Sequence, residues 1–177
     1  MPIDETIAFV PVNIAVLTVS DTRDETNDTS GDTLATRIAG AGHHLAARAI
    51  VKDDAATIAA TLKRWIADPQ IDAIITTGGT GLTGRDVTVE AIKPLFEKEI
   101  DGFSAIFHRI SYDKIGTSTL QSRACAGVAG GTYLFALPGS TGAVKDGWDG
   151  ILKYQLDIRH RPCNFVEIMP RLLEHNR

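Results

Sequence analysis

Cysteine is scarce in this chain. There are two in 177 residues, Cys125 and Cys163. Two cysteines cannot build a disulfide framework, and neither stands in Cys-x-x-Cys or Cys/His ligand spacing, so the expectation is two buried or half-buried thiols in a reducing cytoplasm. Long apolar runs are also missing: none approaches the roughly 18 residues of a membrane span. The opening MPIDETIAFVPV carries acids and no basic region, which argues against a secretory signal. Excess positive charge is absent as well. A net charge of −4 excludes a broad nucleic-acid surface, though not a local anion site built from backbone amides. There is no Gly-Lys-Ser/Thr after a glycine run and no Gly-x-Ser-x-Gly elbow, which removes P-loop nucleotide binding and most serine hydrolases. The five histidines (43, 44, 108, 160, 175) lack Glu partners at metal spacing and read as structural or exposed.

What is present is an ordinary globular composition, 44% apolar and 23% charged, with no internal repeat and no linker, over a length that suits one domain spanning 1–177. Strand-like and helix-like stretches alternate after an extended N-terminal segment (1–10). VNIAVLTVS (12–20) is β-branched and continuously apolar, as a strand covered on both faces should be. The polar stretch 21–32 reads as a loop, after which Ser30 can cap a helix stopped by Gly42. HHLAARAIV (43–51) is a second strand, and Asp54 caps a helix with Ile58, Leu62, Trp65 and Ile66 on one stripe.

DAIITT (72–77) is a short buried strand, followed by a helix capped by Asp86 or Thr88 and shortened by Pro94. Residues 102–123 are helical with a break near Gly116. CAGVA and TYLFALP form two strands joined at Gly130-Gly131, 140–156 is amphipathic, and 157–177 is a packed extended tail. The implied fold is α/β, a three-layer α/β/α sandwich around a mostly parallel sheet. Ligands in such sheets bind at the carboxyl ends of the strands. Three loops therefore carry the chemistry: those after Ser20, Thr77 and Leu137.

The loop TTGGTGLTGRDVTVEA (76–91) holds four glycines in seven residues. Gly79, Gly81 and Gly84 match the dinucleotide pattern GxGxxG. The loop follows the third strand rather than the first, however, and Arg85, Asp86 and Val87 separate the last glycine from the helix. Nicotinamide or flavin binding is therefore a remote alternative. A glycine loop lets backbone amides converge on an oxyanion, each bond to a charged group contributing about 1.5–3 kcal/mol. Asp86 opposes this. A bare carboxylate about 4 Å from a phosphate costs about 4 kcal/mol at an effective dielectric of 20. Either Asp86 points away as a cap, or a divalent cation such as Mg2+ sits between. Asp53 follows a strand and could approach the same rim or serve as a helix cap beside Asp54. In LPGSTGAV (137–144), Ser140 or Thr141 caps a helix facing the same sheet edge. The first loop offers Ser20, Asp21, Asp28, Thr29, Ser30 and Gly31 as ligand contacts or as solvated polar groups. Arg123 could meet an anionic ligand or sit in a salt bridge.

Three motifs in order, VLTVSDTRDETNDTSGDTL, TTGGTGLTGRDVTVEA and TSTLQSRACAGVAGGTYLFALPGST, resemble the MogA/MoaB group of molybdenum cofactor biosynthesis proteins, and within it the bacterial B proteins most. The likeness runs from about Ile7 to the tail RPCNF. It implies a three-layer α/β/α domain assembled as a homotrimer or homohexamer. The implied ligand is molybdopterin, a pterin dithiolene with a terminal phosphate, which active members adenylylate with Mg-ATP. By motif, Asp53 and Asp86 match the two essential aspartates, with Mg-ATP binding as their implied role. Gly78, Gly79, Thr80 and Gly81 match the nucleotide and pterin loop. Asp21, Ser30, Ser122, Arg123, Pro138, Gly139 and Ser140 match other pocket positions. The active pattern usually has Pro where Val89 stands, and some B proteins lose both the Arg-Asp pattern and the catalysis. A non-catalytic molybdopterin-binding protein is therefore the alternative to an adenylyltransferase.

Overall fold

The computed structural model describes residues 2–176. Six strands form one sheet in the order β2-β1-β3-β6-β5-β4: β1 Asn13–Val19, β2 His44–Val51, β3 Ala73–Thr77, β4 Lys98–Glu99, β5 Cys125–Ala129 and β6 Thr132–Leu137. The pairs β1–β2, β1–β3 and β3–β6 are parallel, and β5 runs against both β6 and β4. The β5–β6 pair is the hairpin the sequence suggests. Gly130 and Gly131 turn it with φ of +57° and +83°, values that only glycine adopts without strain.

Helices cover both faces. Alternation along the strands divides the core accordingly. Ile14 and Val16 of β1 face α1 (Thr29–Gly40), α4 (Asp101–Ile115) and α5 (Thr141–Gly147), through Leu34, Ile38, Phe103, Phe107 and Val144. Ala15, Leu17 and Val19 face α2 (Ala55–Ile66) and α3 (Thr88–Ile92), through Ile58, Leu62, Trp65, Val89 and Ile92. The result is the three-layer α/β/α arrangement with a mostly parallel sheet. No helix among the described residues is long and apolar enough to cross a membrane.

Several local expectations change. Asp28, not Ser30, caps α1, its carboxylate accepting from the Gly31 amide at 2.9 Å. Neither Asp86 nor Thr88 caps α3: Val87 holds the cap position without a side-chain bond, because both polar side chains are committed within the preceding loop. The amphipathic segment is α5 followed by a π-turn (Trp148–Leu152) and α6 (Lys153–Gln155). The tail is not extended throughout. Asn164 caps α7 (Phe165–Ile168) by accepting from the Glu167 amide at 2.8 Å, and a 3-10 turn, Met169–Arg171, follows. Cys125 is buried, and burial pushes its thiol pKa up to about 11; Cys163 is exposed rather than half-buried.

Candidate functional site

The carboxyl ends of β1, β3 and β6 open into a cleft of about 410 Å³. It gathers Ser30, Asp53, Gly78, Gly79, Thr80, Gly81, Asp86, Ser122, Pro138, Gly139 and Ser140. These residues come from five separate stretches of chain, and the sheet alone brings them together. Asp21 and Arg123 do not line the cleft. Asp21 stands on an adjoining groove, and Arg123 lies behind the glycine loop.

The loop is pinned by its carbonyls. Thr88 Oγ1 donates to Gly78 O at 2.8 Å, and the Thr88 amide donates to Gly79 O at 2.9 Å. The Arg123 amide and Nε both reach Thr80 O at 3.1 Å, and Nε also reaches Gly81 O at 3.1 Å. Arg123 completes its bonding with Asp86 O and the Glu90 carboxylate. All four carbonyls from Gly78 to Gly81 are thus bonded by the protein. The amides of Gly79 and Thr80 donate to no acceptor among the described residues. From Gly78 to Gly81 the unspent polarity is therefore on the donor side, the polarity an oxyanion needs. Gly78 and Gly79 have φ of +97° and +64°, and a Cβ on Gly78 would lie 2.2 Å from Val19 O. No other residue fits there.

The carboxylates differ in kind. Asp28 is fully buried and accepts from Thr18 Oγ1 at 2.7 Å and Arg48 Nη2 at 2.8 Å as well as from Gly31. Burial pushes its pKa up, but the bonds from Arg48, Gly31 and Thr18 outweigh this and hold it below the usual carboxylate range. Asp28 is a structural anion under the first loop. Asp86 folds back on its own loop, Oδ2 accepting from the Thr83 hydroxyl at 2.6 Å and amide at 2.9 Å, and the Thr83 hydroxyl bond is the main cause of its lowered pKa. Asp53 is the exception. Among the described residues no side chain donates to its carboxylate, which is approached by the Asp21 amide. Burial first, then the charges of Asp21 and Asp86, raise its pKa.

A partly buried carboxylate with like charges on two sides suits a hard cation. The space agrees: a Cβ on Gly79 would stand 2.8 Å from Asp53 Oδ1, and one on Gly81 would stand 2.7 Å from Asp86 Oδ2. No group of three or more His, Cys, Asp or Glu among the described residues is placed to hold a metal alone. Asp53 and Asp86 could therefore hold Mg2+ only with phosphate and water oxygens completing its shell, which is its common mode of binding.

Two cationic side chains in the cleft were not among the expected site residues. Arg23 Nη1 donates to Asn27 O and Thr29 Oγ1, both at 2.9 Å. Arg85 forms a forked pair with Asp21, with Nε to Oδ2 at 2.9 Å and Nη2 to Oδ2 at 2.7 Å. The signal for Arg85 was its place beside Asp86 in GRD. Arg23 offered none, since its loop is polar throughout. Val89, where the active pattern has Pro, is buried under the loop in the first turn of α3 and does not face the cleft. Proline is tolerated in a helix's first turn, so the exchange lies in the packing layer.

Comparison with known proteins puts the cleft in context. Residues 15–158 match the family model described as "Probable molybdopterin binding domain". The chain belongs to this family. It is 50% identical over 157 residues to Molybdenum cofactor biosynthesis protein B of Escherichia coli (strain K12), covering 89% of this chain and 92% of that protein. A crystal structure of a Molybdenum cofactor biosynthesis protein B superposes with a TM-score of 0.85 at 36% identity, covering 97% of this chain and 100% of that one. The tungsten cofactor synthesizing protein MoaB from Pyrococcus furiosus superposes at 0.72 with 34% identity, covering 93% and 96%. Molybdenum cofactor biosynthesis and molybdopterin binding are thereby assigned at the level of the family.

Proposed function

We propose that this chain adenylylates molybdopterin with Mg-ATP. The observation that carries the reading is the glycine loop. The carbonyls of Gly78 to Gly81 are all bonded to protein, and the free amides of Gly79 and Thr80 share a cleft with the Asp53 carboxylate, to which no side chain donates among the described residues. A terminal phosphate oxygen of molybdopterin attacks the α-phosphorus of ATP. The new bond forms there as the bond to the bridging oxygen breaks, and pyrophosphate leaves with that electron pair. Mg2+, when bound, supplies neutralising charge to the phosphates. The chain's own part is positioning and fixed electrostatics. The amides of Gly79 and Thr80 hold phosphate oxygens, Asp53 and Asp86 orient the metal-bearing nucleotide, and Ser30, Ser122 and Ser140 offer hydroxyls at the cleft wall. The Ser140 hydroxyl accepts from the Ala143 amide at 3.1 Å, which leaves its own proton to donate. Assembly as a trimer or hexamer belongs to the same proposal.

The alternative is a member that binds molybdopterin without turnover. The two are separated by incubating the pure protein with molybdopterin, Mg-ATP and pyrophosphatase and looking for the adenylylated pterin. Its formation supports the enzyme. Retained pterin binding with no product, under conditions where an active relative works, leaves only the binder.

A further inference from the structure

Arg85 and Asp21 each face two ways. Arg85 lines the glycine cleft, yet its guanidinium is occupied by the Asp21 carboxylate, Nη2 reaching Oδ1 at 2.8 Å and Oδ2 at 2.7 Å. The fork that fits a carboxylate fits a phosphate equally well. Asp21 lines the neighbouring groove, and its Oδ1 accepts from the Asp53 amide at 3.3 Å, which keeps it next to the Asp53 carboxylate. Ser20 and Arg23 line both spaces, so the ion pair stands where cleft and groove meet. The side chains of Arg85 and Asp21 are 69% and 36% exposed, so water screens the pair and either partner can exchange. Arg23, the other cation of the cleft, is held by Asn27 and Thr29.

Resting on the reading of the cleft as a phosphate and cation site, we propose that Arg85 is an exchangeable latch. It neutralises Asp21 while the cleft is free of anion. It then transfers its fork to a phosphate group in the cleft, which releases the Asp21 carboxylate beside Asp53 for the divalent cation. Anion and cation then strengthen each other's binding, because a coupling free energy between two sites is reciprocal. Arg85 and Asp21 are positioning residues in this scheme.

The test uses two single-ligand titrations of the full chain: inorganic pyrophosphate by calorimetry without metal, and Mn2+ by electron paramagnetic resonance without pyrophosphate. Asp21→Asn frees Arg85 and is expected to tighten pyrophosphate binding about fivefold or more. The gain should vanish in Asp21→Asn/Arg85→Gln, and Asp24→Asn, which removes the same charge from the same groove without freeing Arg85, should give no gain, which excludes a mere change of net charge. Arg85→Gln alone frees Asp21 and is expected to tighten Mn2+ binding while weakening pyrophosphate. Arg85→Lys, which keeps the charge and loses the fork, should weaken pyrophosphate too. If wild-type protein binds both probes but Asp21→Asn leaves pyrophosphate affinity unchanged, or the gain persists without Arg85, the latch is wrong and the site reading stands. If wild-type protein binds neither probe, both fall.

Discussion

Thr88 holds the glycine loop at two successive carbonyls, its hydroxyl donating to Gly78 O at 2.8 Å and its amide to Gly79 O at 2.9 Å. The residue is fully buried, so its hydroxyl has no water to fall back on. Thr88→Val keeps the shape and strands the Gly78 carbonyl. The expected cost is about 1–3 kcal/mol in urea unfolding, the penalty of an unsatisfied buried polar group. Pyrophosphate affinity should fall as the loop loses its fixed conformation. Unchanged stability would show that Gly78 O finds another donor.

Gly79→Ala should be worse for binding. The residue has φ +64°, and its added Cβ would meet Thr88 Oγ1 at 2.4 Å and Asp53 Oδ1 at 2.8 Å. The left-handed conformation alone costs about 1–2 kcal/mol for a residue with a Cβ. Calorimetry should find phosphate binding lost in a chain that circular dichroism still reports as folded. Wild-type affinity would remove the loop from the site.

The carboxylates Asp28 and Asp53 should give opposite pH behaviour. Asp28 has a lowered pKa in the fold, so its contribution is complete above the ordinary value of about 3.9 and is lost as pH falls through the folded one. Asp28→Asn should cost about 1.5–3 kcal/mol at pH 7, the range for hydrogen bonds to an ionised group, and flatten the acid limb of a urea-midpoint profile. Asp53 has a raised pKa, so its contribution is present below the ordinary value and is lost as pH rises through the folded one. At pH 7 its charge is a burden in metal-free protein. Asp53→Asn should be as stable as wild type or more so. A destabilised Asp53→Asn chain would mean that the bond from the Asp21 amide outweighs the cost of burial and of the neighbouring charges.

Magnesium should distinguish the same residues by melting temperature. A ligand that binds only the folded state stabilises it by RT ln(1 + L/Kd), where L is its free concentration. Mg2+ with pyrophosphate is expected to raise the wild-type melting temperature, and removal by chelator should reverse this. Asp53→Asn and Asp86→Ala should lose most of the increment, and Asp86→Ala should abolish adenylylated product while largely sparing pterin binding. Retained product in Asp86→Ala would remove its role.

Much of this was legible from residue order because it is local. The β-branched runs became β1 and β3, and Asp54 caps α2 through its bond to the Thr57 amide at 2.8 Å. What failed depended on distant partners. Asp28 takes the α1 cap because Arg48 on β2 and Thr18 on β1 hold its carboxylate, and neither is near it in sequence. Thr88 is lost as a cap because the incoming loop claims its hydroxyl. The strand β4, Lys98–Glu99, is too short to leave any alternation. At the site, glycine spacing pointed to an anion loop, but the side of Arg123 that contacts it, behind rather than within the cleft, follows only from the assembled sheet.

The most direct measurement is an amide titration of 15N-labelled protein with Mg-ATP, read by transverse-relaxation-optimised NMR. The largest shifts are expected at Gly79 and Thr80, whose N–H groups have no protein acceptor among the described residues, with smaller ones at Ser30 and Gly139 across the cleft. Saturable shifts confined elsewhere, for instance to the groove between Lys98 and Leu172, with Gly79 and Thr80 unmoved, would contradict the assignment of the phosphate site to this loop.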